Sequence, residues 1–215
     1  TSTVDKIRRR TGYPDGVYQS NVSSLNGKPA VLQGFEDVAG TIGNAGQGVW
    51  LPNGSSGWDF DPITKPFTIA VNMKKTPYGE ANPGTNVSAW HIENSSTRAT
   101  ELKVRGDGTI GMDLGNSIPA SPYRATVLSG QTVTGRSTYV FTGDGAASLT
   151  VRAWHNGNTA TAIISGGSNW SWIDAQYWSA FYSVGWTTDI LFLNYAMTPT
   201  QSGLLDSWFA VRYGS

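Results

Sequence analysis

The residues that could do chemistry in this sequence are few. Asp59 and Asp61, in Trp58-Asp-Phe-Asp-Pro62, are the nearest pair of carboxylates on alternating positions. Retaining glycoside hydrolysis needs two carboxyl groups about 5–5.5 Å apart. Here the pair runs directly into Pro62 and reads as the approach to a turn, which makes both side chains exposed turn carboxylates. Histidine occurs twice, as His91 and His155, with no His-x-x-x-His spacing and no cysteine, so a transition-metal site is not expected. His155, in Trp154-His-Asn-Gly157, ends a hairpin strand and is expected to face solvent instead of acting as a base. No catalytic residue is assigned.

The aromatic residues point to binding. Trp170, Trp172, Tyr177, Trp178, Phe181 and Tyr182 fall within thirteen residues, after Gly166-Gly167. Flat rings stack on the C–H faces of sugars, while nearby amides and carboxylates take the hydroxyls. Trp178 and Tyr182 are expected to alternate into the core. Trp170-Ser-Trp172, flanked by Gly167, Ser168, Asn169 and Asp174, reads as a loop or edge, where two exposed indoles need a partner. The candidate ligand-binding residues are therefore Trp170, Trp172, Asn169 and Asp174.

The elements that must hold these residues read as β-structure. Turn dipeptides recur at Asp15-Gly16, Asn26-Gly27, Asn53-Gly54, Asp107-Gly108, Asp144-Gly145 and Asn156-Gly157. Phe67, Ile69, Val71 and Met73 alternate with Thr68, Ala70, Asn72 and Lys74, the pattern of a half-buried strand. Leu102 and Val104 pair across a turn with Ile110, Met112 and Leu114, and residues 139–142 pair with 149–155. About a dozen strands are expected.

Near the C-terminus, residues 188–195 put Ile190, Phe192 and Asn194 on one face and Leu191, Leu193 and Tyr195 on the other. A helix is predicted over 199–212, with Thr198 as N-cap, Pro199 at its first position and Gln201 closing a capping box. Leu204, Leu205, Trp208, Phe209 and Val211 are expected to form its buried stripe, with Trp208 as an anchor.

Composition narrows the function classes. The 215 residues are 39% hydrophobic and only 14% charged, with 26 glycines, which suits one turn-rich sandwich domain. Residues 1–20 read as an N-terminal arm containing Lys6, Arg8, Arg9 and Arg10, and 21–215 as the domain. Fifteen basic and fifteen acidic residues cancel, so no global field favours nucleic acid. No apolar run approaches a membrane span, and membrane insertion is not expected. A first residue Thr1 fits removal of an initiator methionine, giving the expectation of synthesis without a signal peptide and release by lysis, as for a virion component.

The run from Gly185 through Trp186-Thr-Thr-Asp-Ile-Leu-Phe-Leu-Asn-Tyr-Ala-Met-Thr-Pro-Thr-Gln to Arg212-Tyr-Gly214 resembles the ending of concanavalin A-like lectin/glucanase domains. That superfamily includes laminin-G-like modules, and the tail is similar to that of bacterial and phage members. Asn26-Gly27-Lys28-Pro29-Ala30-Val31, Pro66-Phe67-Thr68-Ile69-Ala70-Val71 and the 149–157 hairpin resemble further core strands in family order, covering roughly residues 26–214. The resemblance implies an all-β fold: an antiparallel two-sheet β-sandwich (jelly roll) with one short C-terminal α-helix.

The family's glucanases carry a Glu-x-Asp-x-x-Glu strand that this sequence lacks. Arg98-Ala-Thr-Glu-Leu-Lys103 resembles a strand of jelly-roll alginate lyases, without their downstream Gln-x-His or terminal tyrosine motif. No cofactor is expected. Calcium at Asp59, Asp61 or Asp107 stays open, because many members of the family hold it, although no acidic loop has the density of a dedicated site.

The resemblance and these absences lead to the expectation of a non-enzymatic, lectin-like attachment or decoration module. It would sit on a phage virion, on a fibre, spike or head, and bind cell-surface polysaccharide. The alternative is a purely structural capsid or baseplate protein contacting other virion proteins, and a polysaccharide depolymerase comes third. The expected location is virion or extracellular, and homo-oligomerisation is left open.

Overall fold

The computed structural model describes residues 17–33, 65–75, 88–94, 98–104, 108–114, 124–132, 135–146, 148–164, 177–179 and 185–214. Among these residues there are twelve strands, one 3-10 turn (Ser23–Leu25) and one α-helix. The strands are β1 (Val17–Val22), β2 (Lys28–Gln33), β3 (Phe67–Lys75), β4 (Ser88–Asn94), β5 (Arg98–Val104) and β6 (Ile110–Leu114). They continue as β7 (Arg124–Leu128), β8 (Arg136–Gly143), β9 (Leu149–His155), β10 (Asn158–Ile164), β11 (Tyr177–Ser179) and β12 (Gly185–Leu193). The helix is α1 (Pro199–Tyr213). β1 begins at Val17, within the stretch read as an arm, and residues 1–16 lie outside the described residues.

Described strands pair antiparallel in two sheets. One runs β1-β2-β12-β3-β8-β9-β10 and the other β11-β4-β5-β6-β7. The fold is therefore an all-β sandwich with one C-terminal helix. Period-two alternation fills the space between the sheets. Phe67, Ile69, Val71 and Met73 of β3 meet Tyr139 and Phe141 of β8 and Leu149, Val151 and Ala153 of β9. Opposite them lie Val104, Ile110, Met112, Ala125, Val127 and Leu128 of the second sheet. Ile190 and Phe192 pack on this core, while Leu191 and Leu193 turn to the other face, as the sequence pattern predicts. The two expected hairpins form, with Leu102 opposite Met112 and Phe141 opposite Ala153. Gly143 stands opposite Phe67, whose ring lies where a Cβ would sit, at 2.2 Å, so only glycine fits there.

β3 departs from the expected half-burial, because Thr68, Ala70 and Asn72 are buried as well. The reason is α1, which covers the outer face of the larger sheet. The helix starts as predicted: Thr198 Oγ1 accepts from the Gln201 amide at 3.2 Å, Gln201 Oε1 accepts from the Thr198 amide at 2.7 Å, and Pro199 occupies the first turn.

Its docked face differs from the expected stripe. Ser202, Phe209 and Tyr213 are buried and Leu205 and Asp206 half-buried, one continuous row at three- and four-residue spacing. Phe209 and Tyr213 enter a pocket with Val22, Leu25 and Ala30. Leu204, Trp208 and Val211 point away, with 66, 51 and 84% of their surfaces exposed. Polar contacts fix this rotation of the helix, a constraint that apolar periodicity does not register.

Candidate functional site

Beneath α1 the sheet surface is mixed: Ala70, Val140, Trp154, Leu191 and Leu193 form an apolar patch against Leu205, beside a polar strip that bonds to the helix. Arg136 Nη1 donates to Asn72 Oδ1 at 3.0 Å, Thr138 Oγ1 at 3.1 Å and Asp206 Oδ1 at 3.0 Å. The Arg136–Asp206 ion pair ties β8 to the middle of α1, with the arginine side chain nearly buried. Asn72 Nδ2 donates to Thr188 Oγ1 at 2.6 Å, joining β3 to β12. At the helix entrance, Thr68 Oγ1 donates to the Tyr195 carbonyl at 2.6 Å and accepts from the Met197 amide at 2.9 Å. Arg152 donates to the Met197 carbonyl. Apart from the Arg136–Thr138 bond within β8, these bonds join elements far apart in sequence, and those to Asp206, Tyr195 and Met197 set the rotation and height of α1.

That fixed rotation presents an exposed face built around Trp208 and Arg212. The guanidinium carbon lies 5.3 Å from the Trp208 ring centroid and 5.4 Å from that of Tyr213. Arg212 Nε donates to Tyr213 Oη at 2.9 Å. Burial, followed by the nearby Asp189 carboxylate on β12, raises the Tyr213 hydroxyl above its ordinary range. The bond to Tyr213 raises Arg212 further, so the guanidinium is charged at every accessible pH. Among the described residues, neither terminal nitrogen of Arg212 has a hydrogen-bond partner. Leu204 and Val211 stand exposed on the same side of the helix as Trp208.

A second polar group closes one end of the sandwich. His155 is buried, contrary to the expectation that it faces solvent. The β8–β9 register sets it opposite Tyr139 on the core face, and the two rings stack at 4.7 Å with 4° between their planes. The turn begins one residue later, at Asn156 and Gly157, both with positive φ. Gln131 covers the histidine, its Oε1 lying 3.4 Å from Nδ1 and accepting from Asn158 Nδ2 at 3.0 Å. Gly108 positions Gln131 through its carbonyl, and with φ +79° and Gln131 backbone 2.3 Å from a built Cβ it admits no side chain. Burial lowers the His155 pKa to about 4, a shift partly opposed by the field of Asp206. Its Nε2 is buried without a partner among the described residues. A neutral, enclosed imidazole of this kind supports the core and reaches no external substrate.

The sequence-predicted ligand residues Trp170, Trp172, Asn169 and Asp174 lie outside the described residues, as do Phe181, Tyr182, Asp59, Asp61 and Asp107. Trp178 falls in β11, opposite Ile92 of β4. Among the described residues, no three His, Cys, Asp or Glu side chains cluster to hold a metal. Sequence reasoning missed the Trp208–Arg212 pair because it assigned Trp208 to the core. The signal was present in the four-residue spacing of Trp208 and Arg212 beside Tyr213.

No protein-family model matches the chain, and no curated protein sequence matches it. Solved structures do share its fold. The binding domain of botulinum neurotoxin DC, in complex with rat synaptotagmin II, is 10% identical with a TM-score of 0.51, covering 84% of this chain and 51% of that one. The botulinum neurotoxin serotype G binding domain is 12% identical with a TM-score of 0.50, covering 94% of this chain and 47% of that one. The CBM40 of the Ruminococcus gnavus IT-sialidase, bound to alpha2,3 sialyllactose, is 14% identical with a TM-score of 0.49, covering 84% and 96%. The chain thus spans about half the length of the neurotoxin binding domains it matches. At these identities the likeness is one of fold.

Proposed function

We propose that this chain is a non-catalytic, lectin-like attachment module that binds cell-surface glycans. The observation behind this reading is the outer face of α1. A half-open indole and a fixed guanidinium, whose two terminal nitrogens have no partner among the described residues, are what a sugar needs, one for its C–H face and the other for its oxygens. The surface is shallow, and the one described histidine of the core is neutral and enclosed, an arrangement suited to holding a ligand and not to proton transfer. The fold shared with toxin binding domains supports a receptor-binding role. The sequence adds Trp170 and Trp172, with Asn169 and Asp174, as a second stacking element of the proposal. Shallow sites bind weakly singly and strongly in arrays. We therefore place the module in many copies on a phage virion or other extracellular carrier.

The test is a glycan array probed with the protein multimerised on beads. Binding by the wild type, reduced by Trp208→Ala or by the Trp170→Ala/Trp172→Ala double variant while folding is retained, is the expected result. A folded wild type that binds no glycan would overturn the reading. The exposed Leu204, Trp208 and Val211 also favour a second reading, a structural decoration protein seated on another virion component through this face.

A further inference from the structure

We infer that the Trp208–Arg212 face of α1 is a receptor for acidic sugars, recognising the carboxylate of a uronic- or sialic-type residue. This inference rests on the glycan-binding reading and specifies its ligand class. Three features of the geometry support it.

The first is preorganisation. Arginine normally loses side-chain freedom when it binds an anion. Here Nε is already committed to Tyr213 Oη at 2.9 Å, and two aromatic rings hold the guanidinium at 5.3 and 5.4 Å. Tyr213 is itself buried with Phe209, Val22, Leu25 and Ala30, so the anchor belongs to the body of the fold. The second is direction. With Nε turned inward, the two terminal nitrogens form the open edge of a planar fork. That edge matches the two oxygens of a carboxylate.

The third is charge balance. Asp206 is engaged by Arg136 at 3.0 Å, and Asp189 lies behind the Tyr213 hydroxyl. Among the described residues the field of Asp189 reaches Arg212, but no described carboxylate pairs with its two terminal nitrogens, which leaves them open to the anion of a ligand. Beside the fork, the open part of the Trp208 ring accepts the C–H face of the sugar. Leu204 and Val211, 66 and 84% exposed, offer apolar contact beside the Trp208 ring.

The experiment immobilises glucuronate-, galacturonate- and sialate-terminated glycans, each beside its carboxyl-free counterpart and a sulfated one. The full chain is applied in multivalent form. The wild type should prefer the carboxylated member by tenfold or more, with the preference shrinking as salt rises. Arg212→Gln should abolish the preference for the carboxylated member. Arg212→Lys, which keeps the charge and loses the fork, should restore only part of it. Trp208→Ala should weaken acidic and neutral members together.

A preference that survives Arg212→Gln would overturn the assignment of the site. A preference for sulfate over carboxylate would overturn the ligand class. Equal binding of neutral and acidic members would defeat this inference and leave the glycan reading standing. No binding anywhere on the panel would remove both. Self-association lost in Trp208→Ala, without acidic-glycan binding, would assign the face to a second copy and overturn the proposal.

Discussion

Phe209 and Trp208 are neighbours in sequence, and the structure gives them opposite roles. Phe209 is fully buried among Val22, Leu25, Ala30 and Tyr213, with Leu191, Leu205 and Trp186 packed around the cluster. Truncating it to alanine removes a whole ring from a closed site. The expected cost is about 3–5 kcal/mol, combining lost transfer energy and the cavity left behind. Trp208 is half exposed and touches Phe209 edge-on at 5.1 Å and Arg212 at 5.3 Å. An exposed cation–π contact and a partial aromatic contact are together worth about 1 kcal/mol. With a urea slope of about 3 kcal/mol per molar, Phe209→Ala should lower the unfolding midpoint by more than about 1 M and Trp208→Ala by about 0.3 M. Urea titrations followed by far-ultraviolet circular dichroism measure both. A shift for Trp208→Ala equal to or larger than that for Phe209→Ala would refute the assigned helix rotation, and with it the outer face on which the binding proposal stands.

His155 should make the fold sensitive to acid. Its pKa of about 4 lies below the ordinary 6.5, so the unfolded chain binds more protons between those values and stability falls as pH drops through that window. The full effect is roughly 3 kcal/mol, and His155→Phe, which keeps a ring against Tyr139, should flatten that part of the melting-temperature profile. Asp206→Ala should destabilise by about 2 kcal/mol, because it strips a nearly buried arginine of its carboxylate, and the double change Arg136→Met/Asp206→Leu should recover much of that loss in urea midpoints.

Much of this fold was legible because β-structure writes itself in period two and in turn residues. The alternation of Phe67, Ile69, Val71 and Met73, the Asn156-Gly157 turn and the capping box of Thr198 and Gln201 all act over a few residues. The structure reproduces them. The misreadings were long-range. Whether His155 points inward is settled by its register against Tyr139 and by Gln131 folding over it, neither visible in Trp154-His-Asn-Gly157. The direction of Trp208 is settled by partners on β3 and β8, more than sixty residues away in the chain.

α1 contains enough apolar residues for two faces, Leu205 and Phe209 on one and Leu204, Trp208 and Val211 on the other. A wholly apolar sheet surface beneath it would accept either. Beside the apolar patch of Ala70, Val140 and Trp154, this surface offers Arg136, Asn72, Thr138 and Thr68, which need particular partners at particular heights. Only the face that brings Asp206 over Arg136 gives the nearly buried guanidinium a carboxylate, and the alternative rotation would leave its charge without a counter-ion. The polar strip and the pocket that takes Phe209 and Tyr213 together select the helix rotation. That rotation keeps Leu204, Trp208 and Val211 largely in solvent, although burying these apolar side chains would have stabilised the fold. A surface retained at that cost is where the proposed ligand is to be sought.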